Sequence, residues 1–226
     1  YIDETTRVSF KFNGKTYFGF KGDTLASALI ANDVHLVGRS FKYHRPRGIM
    51  SAGSEEPNAI VQVGNDSALT EPNVRATEIE IHEGLEANSQ NCWPSVNFDI
   101  GGINNLLSPF IPAGFYYKTF MWPSSFWKKY EFIIRHAAGL GKSPKENDPH
   151  EYEHIYYHCD YLIVGGGVSG ILASEILKQG SDENIKILLI DQNNKLGGNF
   201  NYTMDTRVFT YGLVEEAELY STWIQY

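Results

Sequence analysis

One short glycine-rich string carries the most specific chemistry in the sequence. Gly165-Gly166-Gly167-Val168-Ser169-Gly170 fits the pattern G-x-G-x-x-G. An apolar stretch, Tyr161–Val164, directly precedes it, and Asp191 ends a second apolar stretch 21 positions after Gly170. Strand, glycine turn, helix, strand and acid in this order form the context in which such a string binds a dinucleotide.

The residue types in this string meet separate requirements of a pyrophosphate. Gly165 permits a tight turn, Gly167 lets the backbone approach the phosphates, and Gly170 lets helix and strand pack closely. Free N–H groups at the helix N-terminus then meet the phosphate charge. Asp191 can accept hydrogen bonds from the ribose hydroxyls, and its charge would repel a 2′-phosphate, which favours NAD over NADP. The alternative is a purely structural glycine turn.

A second glycine pair, in Lys195-Leu196-Gly197-Gly198, follows soon after the acid. A pair at this offset is common in flavoenzymes with two dinucleotide sites, where it closes the loop near the cofactor. Another glycine turn without a ligand explains the pair equally well. The pair therefore does not decide between NAD and FAD.

A zinc-protease signature also occurs, as His150-Glu151-Tyr152-Glu153-His154. On a helix, H-E-x-x-H places two imidazoles on one face, and Glu175 could be offered as a third ligand. However, Pro149 begins the segment, the strand of the glycine motif follows closely, and Glu175 lies in the helix after the glycine loop. We therefore predict a solvated linker helix here and no metal site.

The elements before residue 92 predict a small α+β domain. Val8, Phe10 and Phe12 alternate with polar residues, Asn13-Gly14 suits a two-residue turn, and residues 15–20 return as a second strand. Gly22-Asp23-Thr24 then offers oxygen caps to a helix whose inner face carries Leu25, Ala28 and Leu29. Residues 59–63 and 77–82 alternate again and predict further strands. This order favours a β-grasp, ferredoxin-like domain over residues 1–91.

Residues 92–150 are predicted to be an aromatic-rich connector and linker. Ten of the 23 residues from 110 to 132 are aromatic, so this segment must pack on something. Another domain or subunit and the chain's own domains both remain open as partners. Residues 142–150 are a polar, proline-marked linker, and residues 151–226 are predicted to be the start of an α/β Rossmann domain.

Composition excludes several classes of protein. With 226 residues, 42% of them apolar, the chain can bury a core, and a net charge of −8 opposes general nucleic-acid binding. No stretch is long enough to span a membrane, and no signal peptide is evident. Two cysteines make no disulfide framework, which predicts a soluble protein of a reducing, cytoplasmic compartment. Because the chain starts at Tyr1, its natural N-terminus is expected to be missing.

The segment 45–61 looks like the loop that holds an iron–sulfur cluster in plant-type ferredoxin domains. Those domains use C-x4-C-x2-C, and aligning the loop on Gly48 and Val61 places the three cysteine positions at Ser51, Glu56 and Ala59. None of the three is a thiolate. We therefore predict that residues 1–90 resemble a cluster carrier but hold no iron–sulfur cluster.

Several long irregular strings closely resemble the N-terminal part of the alpha subunit of heterotetrameric sarcosine oxidase. Such strings are far more specific than a glycine motif, and the resemblance covers essentially the whole chain. They are GDTLASAL at 22–29, VGRSFKYHRPRG at 37–48, SEEPNA at 54–59, EPN at 71–73, ANSQN at 87–91 and GFYYKTFMWP at 114–123.

The resemblance implies an enzyme complex of alpha, beta, gamma and delta subunits. The family demethylates sarcosine to glycine and formaldehyde, or to methylene-tetrahydrofolate when tetrahydrofolate is present, and oxygen becomes hydrogen peroxide. It implies NAD on the alpha subunit, FAD on the beta subunit and FMN at their interface. This chain would be an N-terminal fragment of the alpha subunit, inactive and prone to aggregate alone. No catalytic acid, base or nucleophile is identifiable in it.

The resemblance also carries over binding residues one by one. The implied NAD contacts are Gly165, Gly166, Gly167, Val168, Ser169, Gly170 and Asp191, with Gln192, Asn193 and Gly198 as further contacts nearby. The chain departs from its relatives at Val168-Ser169, where Pro-Ala is common. Because the loop binds phosphate through its backbone, either pair leaves that function intact.

Two further functions stay open beside the oxidase. One is the corresponding subunit of a dye-linked amine or amino-acid dehydrogenase, against which the missing cysteines weigh. The other is a non-catalytic assembly module in which the bound dinucleotide is structural.

A basic run, formed by Arg39, Lys42, His44, Arg45 and Arg47, also needs partners. A phosphate or an acidic partner surface would suit it. We favour pairing within the chain, with Glu55, Glu56 or Glu71, because residues 51–100 are strongly acidic.

Overall fold

A computed structural model of the chain describes residues 2–110, 122–137, 139–152, 154–180, 185–192 and 196–198. The chain divides into two units, residues 1–150 and 151–226. The strands of the first unit are β1 (Asp3–Phe12), β2 (Lys15–Lys21), β3 (Gly38–Arg39), β4 (Pro46–Arg47), β5 (Ile60–Val63), β6 (Glu71–Arg75) and β7 (Leu85–Ser89). Its α-helices are α1 (Leu25–Ala31), α2 (Ile103–Leu106) and α3 (Trp127–Ala137). Short 3₁₀ turns cover Ile100–Gly102, Ser108–Phe110 and Ser124–Phe126.

Five strands of the first unit form one mixed sheet, in the order β2-β1-β7-β5-β6. The predicted hairpin joins β1 to β2, with Phe12 opposite Lys15, and both Asn13 (φ 50°) and Gly14 (φ 76°) take the left-handed conformation that its turn requires. Strand β7 pairs in parallel with β1, while β5 pairs antiparallel with both β7 and β6. The observed architecture is the predicted α+β arrangement.

Helix α1 begins where the sequence places its cap. The Thr24 hydroxyl accepts the Ser27 N–H at 3.1 Å, and Leu25, Ala28 and Leu29 are fully buried. They pack with sheet residues into one core of buried side chains. The sheet members of this core include Phe10, Phe12, Val61, Leu85 and Ala87.

The predicted strand over residues 77–82 is wrong. Only Glu80 makes an isolated bridge there, opposite Thr24. The backbone N–H of Leu25 donates to the Ile79 carbonyl, and that of Ile81 to the Asp23 carbonyl. The alternating pattern does correspond to burial, because Thr77 and Ile81 are both buried. However, this segment packs against the start of α1 instead of extending the sheet. Strands β6 and β7, which the sequence analysis did not predict, complete the sheet instead.

The basic run holds the beginning of the connector against the domain. Asp99 is almost fully buried, and its carboxylate binds the Nδ1 of His44 at 2.6 Å and accepts the N–H groups of Trp93 and Gly101. Arg39 donates to the carbonyl of Val96 through Nε at 2.8 Å and through Nη2 at 2.5 Å. We refer to residues 92–107 as the clamped segment.

The predicted pairing of the basic run inside the chain is confirmed for Arg39, His44 and Arg45, but with other partners. Arg45 donates to the side chain of Asn105 at 2.8 Å, and Arg39 binds backbone carbonyls rather than carboxylates. Glu56, an expected partner, has its carboxylate occupied by backbone N–H groups. The side chains of Arg39, His44 and Arg45 therefore bind residues of the clamped segment.

Aromatic side chains after the clamped segment are largely exposed where the structure describes them. Trp122 is 83% exposed and Phe132 61%, and Phe126 and Trp127 are also exposed. Residues 111–121, which hold four of the ten aromatic residues, lie outside the described residues. The side chains of Trp122, Phe126, Trp127 and Phe132 thus present exposed apolar area.

The second unit contains β8 (Tyr161–Val164), α4 (Val168–Gly180) and β9 (Ile187–Ile190). The strands pair in parallel, with Tyr161 opposite Ile187 and Val164 opposite Ile190. This is the predicted strand–helix–strand order. Within β9, Leu189 is buried and the other three residues are half-buried, whereas Val164 of β8 is 76% exposed.

We predict that Asp99→Asn destabilises the protein by about 1–3 kcal/mol, because the amide leaves buried N–H groups and His44 without a charged acceptor. Urea unfolding measures this. The matched control is Asp33→Asn, since the Asp33–His35 ion pair has the same chemistry but its carboxylate is 94% exposed. The control should change stability by less than about 0.5 kcal/mol. Equal small effects at both positions would contradict the clamp.

Candidate dinucleotide-binding site

The glycine loop connects the end of β8 to the first turn of α4. Gly165 has φ 105°, a conformation that side chains with a Cβ rarely adopt, and its N–H donates to the Ile190 carbonyl at 2.8 Å. The N–H of Ile171 donates to the Gly167 carbonyl at 3.0 Å, which starts the helix. The loop therefore turns tightly, and the first N–H groups of the helix, which have no partner within the helix itself, can meet an anion.

Gly170 and Gly167 lack a Cβ for different reasons. A Cβ on Gly170 would lie 1.9 Å from the carbonyl oxygen of Gly165, so any side chain there forces helix and strand apart. A Cβ on Gly167 would meet no atom of the described residues within 4 Å. Gly170 is therefore needed by the fold itself. Gly167 leaves open space at the position that the motif assigns to the pyrophosphate.

Asp191 follows the second strand in the sequence, and its side chain lies beside the glycine loop. Its Oδ2 accepts the N–H of Gly166 at 2.5 Å. Gly166 is buried, and a Cβ on it would lie 3.2 Å from the Cβ of Asp191. The acid and the glycine loop, 25 residues apart in sequence, thus form one constellation.

The second glycine pair packs directly on the loop. The N–H of Gly197 donates to the Gly166 carbonyl at 2.7 Å, and Gly197 has φ 115°. A Cβ on Gly198 would lie 3.2 Å from the Cα of Gly167, and Leu196 covers Gly166. The pair Gly197-Gly198 therefore closes the glycine loop and is not an unrelated turn. Leu196 and Gly197 were missed as site residues, although the glycine pair was the signal.

The remaining predicted contacts lie at the edge of this constellation. Val168 and Ser169 form the first turn of α4, with Val168 half-buried and Ser169 exposed. Gln192 is exposed and follows Asp191 directly. Asn193 lies outside the described residues. The structure thus brings together the glycines, Asp191 and Gly198.

The predicted linker helix over 150–154 is wrong, because none of its described residues is helical. His150 instead contacts Asp148, Nδ1 to Oδ1, at 3.0 Å. The two imidazoles consequently lack the helical spacing of the zinc signature. Across the described ranges, no group of three or more His, Cys, Asp or Glu side chains is arranged to hold a metal ion.

Both cysteines are half-buried and free. Burial, together with the charge of Asp99, raises the pKa of the Cys92 thiol. A raised pKa keeps the thiol protonated and unreactive near neutral pH. No helix within the described part of the chain is both long and apolar enough to cross a membrane.

Two family models match the chain. Residues 5–92 match a 2Fe-2S iron-sulfur cluster binding domain, and residues 163–213 match an NAD(P)-binding Rossmann-like domain. The two matches agree with the mixed sheet of the first unit and with the strand–loop–helix–strand site of the second. The class is therefore a ferredoxin-like domain followed by the start of a dinucleotide-binding domain.

The resemblance to sarcosine oxidase alpha subunits is confirmed. The chain is 55% identical over 198 residues to "Sarcosine oxidase subunit alpha" of Rhizobium meliloti (strain 1021), covering 87% of this chain and 20% of that protein. It is 29% identical over 199 residues to the subunit of the same name from Corynebacterium sp. (strain U-96), covering 87% of this chain and 15% of that protein. The chain thus spans about a fifth or less of these relatives' length.

A solved structure covers nearly the whole chain at lower similarity. "Crystal structure of L-proline dehydrogenase from P.horikoshii" matches 98% of this chain and 33% of its own chain, with 18% identity and a TM-score of 0.49.

The predicted absence of an iron–sulfur cluster is contradicted by the family match over residues 5–92, which is a match to a cluster-binding domain. The prediction rested on the alignment of Ser51, Glu56 and Ala59 with the three cysteine positions and on the spacing of the two cysteines, whereas the match covers the whole domain. Because these three side chains supply no thiolate, the alignment on Gly48 and Val61 does not locate the ligands of such a cluster.

Proposed function

We propose that the chain is the dinucleotide-binding section of a sarcosine oxidase alpha subunit and that its dinucleotide is NAD. The observation that carries this proposal is the joint geometry of the glycine loop and Asp191. Open space lies over Gly167, and a carboxylate is anchored one hydrogen bond away on Gly166. The NAD(P)-binding Rossmann-like match over residues 163–213 supports the same site.

The electrostatics of the site favour NAD over NADP. Asp191 is the carboxylate at the end of β9, where the ribose of a dinucleotide binds in this kind of site. A 2′-phosphate placed there would meet a like charge, and like charges at such distances cost binding energy. The ribose hydroxyls of NAD would instead donate charge-assisted hydrogen bonds.

The chain's own residues supply binding rather than bond chemistry in this proposal. The glycine loop and the N-terminus of α4 hold the pyrophosphate, Asp191 orients the ribose, and Gly197 and Gly198 keep the loop closed. Gln192 and Asn193 border the ribose position. NAD bound there supplies a two-electron carrier.

The proposed reaction belongs to the complete complex. Sarcosine, oxygen and water become glycine, formaldehyde and hydrogen peroxide, and with tetrahydrofolate the one-carbon unit leaves as methylene-tetrahydrofolate. Beta, gamma and delta subunits are the proposed partners. Within this chain we propose three sections, residues 1–91, 92–150 and 151–226, of which the last binds the dinucleotide.

Gly167→Val should abolish NAD binding while leaving the fold intact, because its side chain enters space that only a phosphate needs. NAD released from the purified full-length subunit is the measurement. Gly170→Ala is the contrast, since its Cβ would strike the Gly165 carbonyl and disturb the fold as well. Gly180→Ala, at the open end of the same helix, should change neither property. Stoichiometric NAD on Gly167→Val would sink the assignment.

Asp191→Asn should relax the choice of cofactor. The amide oxygen can still accept the Gly166 N–H, so the loop keeps its shape, but the charge is gone. We expect weaker NAD binding by about 1–3 kcal/mol and a rise in NADP affinity. Titration of both dinucleotides into the cofactor-free subunit measures this. An unchanged NAD/NADP ratio would show that Asp191 does not face the ribose.

Peroxide formation by the reconstituted complex tests the reaction itself. We expect peroxide with sarcosine and oxygen, and none from residues 1–226 alone. Activity only with an artificial electron acceptor would indicate a dehydrogenase instead. Full activity with Gly167→Val lacking NAD would indicate that the dinucleotide is structural.

A further inference from the structure

The loop between β4 and β5 is built around one buried carboxylate. Glu56 is fully buried although it lies in a loop. Its Oε2 accepts the N–H groups of Met50 at 2.7 Å and Ser51 at 2.6 Å. Its Oε1 accepts the N–H groups of Asn58 at 2.8 Å and Ala59 at 3.1 Å. Four backbone donors thus converge on one anion.

These four donors replace the cation that a buried carboxylate normally needs. Among the described residues, Glu56 makes no ion pair; nearby Arg75 donates to its backbone carbonyl at 3.2 Å instead. Burial alone would raise the pKa of Glu56, but the backbone hydrogen bonds outweigh burial and lower it. Converging N–H groups of this kind form a concave anion site.

The loop is tied to the core on both sides of this anion. The buried hydroxyl of Thr77 donates to the Gly53 carbonyl at 2.7 Å. Ala59 is fully buried, and its carbonyl accepts the Ala76 N–H at 2.8 Å. Any change at the carboxylate is therefore transmitted to packed residues, so loss of the anion must appear as loss of stability.

We propose that residues 50–59 form a monocarboxylate-binding site that the chain fills with its own Glu56. Shortening Glu56 to alanine removes a CH₂ and a carboxylate, which is the size and charge of acetate. The emptied site is therefore a site for free acetate. This inference is independent of the proposed dinucleotide function, because it concerns a different unit of the chain.

Ser51 provides an internal control within the same loop. Its hydroxyl is buried and has no hydrogen-bond partner among the residues that the structure describes, whereas its N–H binds Glu56. Ser51→Ala removes only the unpaired hydroxyl, so it should leave stability unchanged or raise it. The backbone donor to Glu56 remains in place.

The test is thermal unfolding of the full-length subunit with and without sodium acetate. Glu56→Ala should unfold at a clearly lower temperature than the wild type, and acetate should restore it saturably. Acetamide, which is uncharged, and sodium chloride at equal concentration should not. Glu83→Ala removes an exposed carboxylate that accepts the Ser9 N–H at 2.9 Å, and acetate should have no effect on it.

Glu56→Gln keeps the proposal testable if the alanine variant does not fold. The amide fills the space but turns an NH₂ group towards two backbone donors, so it should be less stable than the wild type and insensitive to acetate. Wild-type stability of Glu56→Gln would overturn the proposal. Equal rescue of Glu56→Ala by acetate and chloride would also overturn it, because that is a general salt effect.

Discussion

Three loops of this chain depend on carboxylates that accept backbone N–H groups. Glu56 binds four N–H groups between β4 and β5, Asp99 binds two in the clamped segment, and Asp191 binds that of Gly166 in the glycine loop. A peptide N–H in a loop has no ladder partner, and burying it unpaired is costly. One carboxylate can satisfy several such groups at once, which gives an irregular segment a single shape.

This use of carboxylates makes the dinucleotide site largely preformed. Asp191 fixes Gly166 while Gly197 fixes the other side of the same residue, so the loop is shaped from both directions. A loop that is already ordered loses less conformational entropy when phosphate binds. Asp191, which is expected to recognise the ribose, therefore also shapes the glycine loop. Asp191→Asn separates these two roles, because the amide can still accept the Gly166 N–H but carries no charge.

In the clamped segment, polar groups contact the domain and large apolar side chains are exposed. Its polar atoms face the domain through Asp99 and through the carbonyls that Arg39 binds, while Trp93, Phe98 and Leu106 are 68%, 68% and 77% exposed. The described aromatic residues after it are exposed as well. Large apolar side chains that are exposed next to one another are typical of an interface.

Local patterns in the sequence determined the elements that depend on neighbours in the chain. The Asn13-Gly14 turn, the cap at Thr24 and the strand–glycine–helix order were predictable because turn geometry and helix capping need only nearby residues. The glycine string and the irregular strings also identified the dinucleotide site and the relatives. Only the tertiary structure decided that 77–82 braces α1, that Asp99 rather than a nearby glutamate binds His44, and that Leu196 and Gly197 close the loop. Each of these contacts joins residues far apart in sequence or depends on which competing partner is buried, and periodicity carries no information on either.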